Sequence, residues 1–216
     1  MSTASAEPVI IVTGAAKSVG AEIARSLHAV GAKLLLHYRA SADEAEALAA
    51  DMNAARPDSA ACAPADLCDA AQLPRLVEAA VEKFGRLDAL VNNASSFYAT
   101  PIGSIDEAAW LDLIGSNLKG PLFLAQAAAP HLRATHGAIV NITDIHAERP
   151  LKNYPLYCLA KAGLLGLTRA LALELAPEVR VNAVAPGPIE WPVGAAAGDF
   201  DAEVRAAIVA GTLLQR

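Results

Sequence analysis

A tyrosine and a lysine stand four residues apart in the last third of the chain, at Tyr157 and Lys161. In a helix this spacing places both side chains on one face. An ammonium group beside a phenol stabilises the tyrosinate and lowers the phenol pKa. Such a phenol can donate a proton to a substrate that is being reduced. The pair alone occurs often by chance, so its meaning depends on other motifs in the chain.

A glycine-bearing loop near the N-terminus is the first such motif. The stretch Thr13-Gly-Ala-Ala-Lys-Ser-Val-Gly20 lies between an apolar run and a segment with helical spacing. Gly14 permits a tight turn, and Gly20 lets the helix approach the sheet. The loop amides and the helix N-terminus would then face a pyrophosphate. This order predicts a dinucleotide site, although a similar turn without a ligand remains open. The predicted ligands are Gly14, Lys17, Ser18, Val19 and Gly20.

The end of the second predicted strand distinguishes between the two nicotinamide dinucleotides. An NAD site usually places an acid there, on the ribose 2′-hydroxyl. This strand instead continues into His37-Tyr38-Arg39-Ala40-Ser41. Arg39 can pair with a 2′-phosphate, and Ser41 can donate a hydrogen bond to it. We therefore predict NADPH, with His37, Tyr38, Arg39 and Ser41 around its adenosine end. The alternative is a surface arginine that happens to follow a strand.

The elements that position these residues alternate regularly along the chain. Apolar runs predict strands over 8–13, 32–37, 59–64, 87–91, 138–142 and 179–183. Helical spacing predicts helices over 19–30, 41–55, 69–84, 104–118, 121–134, 155–176 and 201–210. At the start of the fourth of these helices, Ser104-Ile-Asp-Glu107 resembles a capping box. Strands that are apolar throughout and alternate with helices indicate a parallel sheet covered on both faces. We predict an α/β fold, a Rossmann-like doubly wound parallel sheet, in a single NADP-binding domain over 1–216.

Composition excludes several classes of function. The net charge of −6 argues against a nucleic-acid partner, because phosphate binding needs a basic face. No apolar run approaches the roughly 20 residues of a membrane span, and residues 1–7 do not resemble a signal peptide. Cys62, Cys68 and Cys158 form no CxxC pair, which fits free thiols in a reducing cytoplasm. No cluster has metal-ligand spacing, so we expect no metal site.

Over its whole length the chain resembles the short-chain dehydrogenases/reductases. The segments that carry the resemblance are 13–20, Asp66-Leu67, Asn92-Asn93-Ala94, Asn117, 157–161 and Pro186-Gly187. The resemblance implies that Asp66 contacts the adenine, Asn117 anchors the water of a proton relay, and Lys161 binds the nicotinamide ribose. It also implies a homotetramer that shares a bundle of the helices in 104–134 and 155–176. Further cofactor contacts are implied for Leu67, Asn93, Ala94, Ser95, Pro186 and Gly187.

Position 144 indicates a subfamily. The family usually has a serine thirteen residues before the tyrosine, and this chain has Asp144 at that position. In the alternative alignment Thr143, fourteen residues before the tyrosine, supplies the hydroxyl. Aspartate there is a mark of the pteridine reductases, which the segments 36–39, 53–59 and 92–98 also resemble. The resemblance implies that Phe97 stacks the pterin against the nicotinamide and that Ser95 lines the same pocket. Stacking of flat rings is favourable, although Phe97 could also be a plain core aromatic.

The chain departs from that subfamily at two places. Ser18 stands where an arginine is general, and Lys17 can replace its charge but not its bidentate fork. The sequence ends at Arg216, whereas members of the family continue for about one more helix and strand. We therefore expect the last helix and strand of the fold to be missing from this chain.

These observations predict hydride transfer from NADPH to a pterin-type C=N bond, and the resemblance implies a dihydropteridine such as dihydrobiopterin, dihydromonapterin or dihydrofolate as the substrate. Tyr157 would donate the proton, Asp144 would orient or recharge it, and Lys161 would hold the ribose and tune the phenol. A predicted lid over 187–199 places Trp191 near the pocket mouth, because ligands bind at strand carboxyl ends. A carbonyl reductase of the 3-oxoacyl-carrier-protein type is one rival; a dinucleotide-sensing regulator is another, but it needs no Tyr–Lys pair. The predicted substrate contacts are Ser95, Phe97, Asp144, Tyr157 and Trp191.

Overall fold

The computed structural model describes residues 7–189 and 202–212. Their core is one parallel sheet with the strand order β3-β2-β1-β4-β5-β6. Because the order reverses between β1 and β4, a crevice opens at the carboxyl ends of these strands. The predicted Rossmann-like α/β fold is confirmed. The strands are β1 Val9–Val12, β2 Lys33–Tyr38, β3 Ala60–Pro64, β4 Ala89–Asn92, β5 Ala138–Ile142 and β6 Arg180–Val184.

The helices lie close to their predicted positions, with one difference in the middle of the chain. The two helices predicted over 104–118 and 121–134 form one nearly continuous stretch, joined by a π-helical turn at Gly115–Lys119. Pro121 lacks a backbone N–H, and the wider turn ends just before it. The helices are α1 Ser18–Ala29, α2 Ala42–Ala55, α3 Leu73–Phe84, α4 Glu107–Ile114, α5 Gly120–Thr135, α6 Pro155–Glu174 and α7 Ala202–Gly211.

The start of α4 corrects the predicted capping box. Asp106 is the capping residue, and its Oδ1 accepts a hydrogen bond from the backbone N–H of Ala109 at 2.8 Å. Ser104 instead donates through its hydroxyl to the carbonyl of Pro101. Aspartate caps a helix as well as serine does, so the nearer of the two residues fixes the boundary.

The two faces of the sheet bury separate apolar layers. Along β1, Val9 and Ile11 join the layer that contains α3 and α5, whereas Ile10 and Val12 join the layer that contains α1 and α2. This alternation is the two-residue period of a strand, and it buries all four side chains. Each buried Val or Ile stabilises the fold by roughly 1.5–3 kcal/mol relative to exposure. The sheet thereby holds the strand ends in fixed positions beneath the crevice.

Helix α6 is long and largely apolar, although Lys161 and Arg169 interrupt its apolar residues. It is the one helix in the described part of the chain that could cross a membrane by length and composition, with a mean hydropathy of 1.4. In this fold, α6 packs on β6, and its buried stripe includes two polar residues, Lys161 and Thr168. Leu159 and Leu173, on other faces, are exposed. The helix therefore carries more apolar surface than its packing on the sheet requires.

Candidate active site

A cavity of about 880 Å³ lies along the carboxyl ends of the strands. Loops that follow all six strands line it, together with parts of α6 and α7. Tyr38, Ser41 and Asn117 do not line it, and Trp191, with most of the predicted lid, falls outside the described residues. The predicted site residues that do line it are Gly14, Lys17, Ser18, Val19, Gly20, His37, Arg39, Asp66, Leu67, Asn93, Ala94, Ser95, Phe97, Asp144, Tyr157, Lys161, Pro186 and Gly187.

The glycine loop is packed so closely that side chains do not fit at two positions. Gly14 has φ +62°, and a Cβ on it would lie 2.9 Å from the Cα of Ala94. A Cβ on Gly20 would clash with the carbonyl oxygen of Gly14. These contacts give each glycine the role that the sequence predicted, a tight turn and a close approach of helix to sheet. Ser18 also lies in the left-handed region, with φ +48°, which disfavours a residue with a side chain.

Side chains from two neighbouring elements brace this loop. The hydroxyl of Thr13 accepts from the backbone N–H groups of Asn93 and Ala94, at 2.9 and 3.0 Å. The Asn93 amide group donates to the carbonyl of Thr13 at 2.9 Å. The Asn93 side chain therefore fixes the loop to the end of β4, a supporting role that the motif alone did not indicate.

His37 is also a brace, although the sequence predicted a cofactor ligand. Its side chain is buried, and Nδ1 accepts from the backbone N–H of Gly14 at 3.1 Å. Nε2 then carries the proton and donates to the carbonyl of Ala65 at 3.0 Å. Burial lowers the pKa of His37 and so favours the neutral ring that this arrangement needs. Both ring nitrogens are engaged within the protein, which leaves the ring itself as the part that lines the cavity.

Two cations that line the cavity near the ends of β1 and β2 are paired with acids. Arg39 Nη1 lies 3.5 Å from Asp112 Oδ1 on α4, and Asp112 Oδ1 also accepts from the Ser96 hydroxyl at 3.0 Å. Lys17 Nζ lies 2.6 Å from Glu44 Oε1 on α2. Exposed pairs of this kind contribute only about 0–1 kcal/mol. Both cations can therefore exchange their carboxylate for a phosphate at little cost.

At the other end of the cavity, Asp144 and Tyr157 form a short hydrogen bond. The Tyr157 hydroxyl donates to Asp144 Oδ2 at 2.6 Å. Asp144 Oδ1 accepts from the backbone N–H of His146 at 2.8 Å, which caps the short 3-10 turn Ile145–Ala147. The Thr143 hydroxyl donates instead to the carbonyl of Val184 at 3.0 Å. Of the two alignments left open by the sequence, the structure therefore selects Asp144 as the partner of the tyrosine.

Lys161 shares a helix face with Tyr157 but does not lower the pKa of the phenol. Its Nζ donates to the carbonyl of Ile142 at 2.9 Å and lies 5.7 Å from the Tyr157 ring centre. Burial lowers the pKa of Lys161 to about 8, against the opposing effect of the Asp144 charge. Burial and then the Asp144 charge raise the pKa of Tyr157. In this arrangement burial and then the adjacent Asp144 carboxylate set the direction of the Tyr157 pKa shift, and it is opposite to the lowering that was expected from Lys161.

Phe97 belongs to an aromatic cluster and also lines the cavity. Its ring stacks on Tyr154 with the centres 4.7 Å apart and the planes at 13°. It meets the Tyr157 ring edge-on, with the centres 4.8 Å apart. Phe97 is therefore packed against aromatics and also presents surface to the cavity, and its stacking on a pterin stays a prediction.

Asn117 is buried behind the cavity, in the π-helical turn. Its amide group donates to the carbonyls of Leu113 and Ser96, each at 3.0 Å. Its Oδ1 has no hydrogen-bond partner among the described residues. A π-helical turn often marks a functional site, and here it directs the asparagine inward.

A buried chain of polar side chains supports α6, and sequence reasoning missed it. The Asn92 amide group donates to Asn141 Oδ1, and the Asn141 amide group donates to the Thr168 hydroxyl, each at 2.8 Å. Thr168 in turn donates to the carbonyl of Leu164. The available signal was the pair of asparagines at the ends of two apolar strands, which the register places side by side. Their bonds fix the Tyr157 helix against the strands that form the cavity floor.

Comparisons with known proteins agree with this geometry. A family model described as "Enoyl-(Acyl carrier protein) reductase" matches residues 14–216. The chain is 42% identical to "Pteridine reductase 1" of Leishmania tarentolae, over 87% of this chain and 78% of the relative. It is 37% identical to a 3-oxoacyl-(acyl-carrier-protein) reductase of Staphylococcus aureus, over 82% and 72%. It is also 37% identical to trans-4-hydroxycyclohexanecarboxylate dehydrogenase of Sinomonas cyclohexanicum, over 88% and 75%.

Proposed function

Because the chain belongs to the short-chain dehydrogenase/reductase family and is an oxidoreductase, we propose that it uses NADPH to reduce a pterin-type C=N bond. The observation that carries the proposal is the 2.6 Å hydrogen bond between Tyr157 and Asp144. A carboxyl group occupies the place of the family's usual serine, and it can exchange a proton with the phenol. A ketone needs a polarising hydroxyl, whereas a C=N bond gains from a ready supply of protons.

The cavity fits a nicotinamide dinucleotide on structural grounds. The N-terminus of α1 has no capping side chain, and its first residues, Ser18 and Val19, line the cavity. Free amides at a helix N-terminus are suited to a pyrophosphate. Arg39 and Lys17 lie at the adenosine end, and no acid follows β2 at the position that would bind a ribose 2′-hydroxyl. These features favour NADPH over NADH.

The remaining cofactor contacts follow the family resemblance. Asp66 is assigned to the adenine, and Lys161 to the nicotinamide ribose, for which it would leave the carbonyl of Ile142. Tyr38 and Ser41 lie outside the cavity lining and are given no direct contact. The other proposed contacts are Gly14, Gly20, Leu67, Asn93, Ala94, Ser95, Pro186 and Gly187.

When bound, the reduced nicotinamide supplies a hydride to the carbon of the C=N bond. Tyr157 donates a proton to the nitrogen, so that one C–H and one N–H bond form as the double bond is lost. The raised pKa of Tyr157 keeps the phenol protonated but makes it a weaker acid, so the proposal requires Asp144 to return a proton as the phenol gives up its own. Once it has given its proton, a charged Asp144 would repel the tyrosinate, whereas a protonated Asp144 would restore the phenol. Turnover should therefore be favoured on the acid side of neutrality.

Three further residues complete the proposed site. Phe97 holds a flat bicyclic ring through the surface that it presents to the cavity, and Ser95 lines the same region. The family resemblance assigns Asn117 to a relay water, and the buried Oδ1 that has no partner among the described residues is the acceptor proposed to hold it. Trp191 is proposed as a substrate contact from sequence alone.

The rival function is reduction of a 3-oxoacyl thioester, which the name of the Staphylococcus aureus relative describes. The deciding experiment follows NADPH oxidation with dihydrobiopterin and with an acetoacetyl thioester, at equal enzyme concentration and at pH 6 and 8. The proposal requires faster turnover of the pterin, most clearly at pH 6. Preferential turnover of the thioester would favour the rival and contradict the proposal.

We also propose a homotetramer in the cytoplasm. Several large apolar side chains on α4, α5 and α6 are exposed in the single chain, among them Trp110, Leu111, Leu122, Phe123 and Leu159. An exposed apolar surface on neighbouring helices is typical of an interface between copies. Light scattering should give a mass four times that of one chain, and replacing Phe123 with Lys should lower it. A monomer would show that this surface has another role.

A further inference from the structure

Charge is distributed unevenly along the cavity. The part formed after β1, β2 and β3 includes the half-exposed cations Lys17 and Arg39. The part formed after β5 and β6 includes three groups that can carry charge: Asp144, His146 and Lys161. This second part contains Tyr157, so it is the part in which the reacting end of a substrate lies.

The two groups of the second part that can carry positive charge are already engaged. Lys161 is 3% exposed and donates to the carbonyl of Ile142. The His146 Nδ1 lies 2.8 Å from the carbonyl of Arg149 and donates to it, so one of the two ring nitrogens is already engaged. Burial therefore shields Lys161 from a carboxylate that enters from solvent, and His146 has only one ring nitrogen left for such a contact.

The rest of the second part is apolar at its rim. Ile145, Leu151 and Ile189 line it, and α7 adds Ile208 to the cavity lining. Among the described lining residues, no arginine or lysine other than Lys17, Arg39 and Lys161 is present. On α7, Arg205 lies outside the lining and is accompanied by Glu203.

The segment that joins Ile189 to α7 brings no compensating positive charge. Residues 190–201 include Glu190, Asp199 and Asp201 and contain no lysine or arginine. These residues therefore add no lysine or arginine side chain as a partner for an anion.

A substrate tail that carries carboxylates would therefore lose solvation without gaining an ion pair with a lysine or arginine at this end of the described lining. A hydroxylated or alkyl tail meets no such penalty. We infer that the site accepts dihydropteridines with short, neutral side chains and discriminates against those with an anionic tail, such as dihydrofolate. This inference rests on the proposed function, and it names the substrate class of that same site.

The experiment compares kcat/KM for dihydrobiopterin and dihydrofolate with NADPH, in the parent protein and in two arginine variants. We expect a preference of about tenfold or more for dihydrobiopterin, because the carboxylates of dihydrofolate lose solvation on entering the site. Ile189→Arg places a cation on an exposed residue that lines the cavity. It should raise kcat/KM for dihydrofolate several-fold, and added salt should reduce that gain. Ile102→Arg, at an exposed isoleucine outside the cavity lining, is the matched control and should change neither value.

The outcomes separate the two levels of the proposal. Equal use of both pteridines by the parent protein would overturn the inference and leave the proposed function standing. A gain for dihydrofolate that is the same in both arginine variants would also overturn it, because a general change in protein charge would then be sufficient. No turnover of either pteridine would overturn the proposed function and the inference together.

Discussion

The two ends of the cavity are built in different ways. At the phosphate-loop end, the polar groups of Thr13, His37 and Asn93 bond to the backbone within the protein, and two glycines allow close packing. At the other end, Asp144, Tyr157 and Lys161 bring ionisable groups into a largely buried site. Burial raises the pKa of Tyr157 and lowers the pKa of Lys161, so it favours the neutral form of each.

This difference separates residues that stabilise the fold from ionisable residues whose burial lowers the free energy of unfolding. Changes at the phosphate-loop end should reduce stability and cofactor binding together. Changes among the ionisable groups should reduce turnover while leaving stability unchanged or improved, as is general for strained functional sites. The following variants test this separation, from the largest expected effect to the smallest.

Tyr157→Phe removes the proposed proton donor and leaves the packing of the ring in place. Loss of a positioned acid should lower kcat for the pterin by about 10²–10⁴-fold. NADPH binding, measured by fluorescence titration, should stay within a few-fold of the parent value. Turnover that is hardly reduced would show that another group supplies the proton.

Gly20→Ala tests the close packing at the other end. The added methyl group would meet the Gly14 carbonyl, so the free energy of unfolding should fall by about 1–3 kcal/mol. NADPH binding should weaken with it. Gly166→Ala on α6 is the matched control: its Cβ meets nothing within 4 Å, and it should stabilise the helix by about 0.5–1 kcal/mol. Equal effects of the two variants on denaturation would contradict the packing argument.

Lys161→Met tests whether the buried ammonium destabilises the free protein. Because burial lowers the pKa of Lys161 from 10.5 to about 8, the unfolded chain binds more protons than the folded chain between these pH values. The stability of the parent should therefore rise with pH over this window. At pH 7 the variant should be more stable by about 1–3 kcal/mol, and the gap should narrow by pH 10. Urea denaturation at both pH values measures this, and a less stable variant at pH 7 would refute it.

Arg39→Ala has the smallest expected effect, because the side chain is largely exposed. Loss of one charge-assisted contact should weaken NADPH binding by about tenfold and leave NADH binding within twofold. Arg25→Ala, which breaks an exposed ion pair with Glu22 on α1, is the control and should change the binding of neither dinucleotide. Parallel losses for both dinucleotides would remove the basis for choosing NADPH.

The sequence predicted the fold and the cavity lining well, because both follow from local patterns. Apolar strands, helical spacing and the glycines at 14 and 20 each indicate their own structure. The role of His37 could not be predicted, because the sequence pattern around this histidine is the same whether the ring contacts a ligand or accepts a hydrogen bond from the Gly14 N–H. The Asn92–Asn141–Thr168 chain and the direction of the Tyr157 pKa shift depend on residues that are distant in sequence. Such long-range contacts have no local signal.

The central claim is that Asp144 supplies the proton that Tyr157 donates. Its most direct test is the pH profile of NADPH-dependent dihydrobiopterin reduction by the parent protein and by Asp144→Ser, with NADPH binding measured for both. The account predicts that the variant binds NADPH normally, loses about 10²-fold or more in kcat, and no longer shows faster turnover on the acid side. A variant that keeps kcat within a few-fold of the parent, with the same pH profile, would contradict the account.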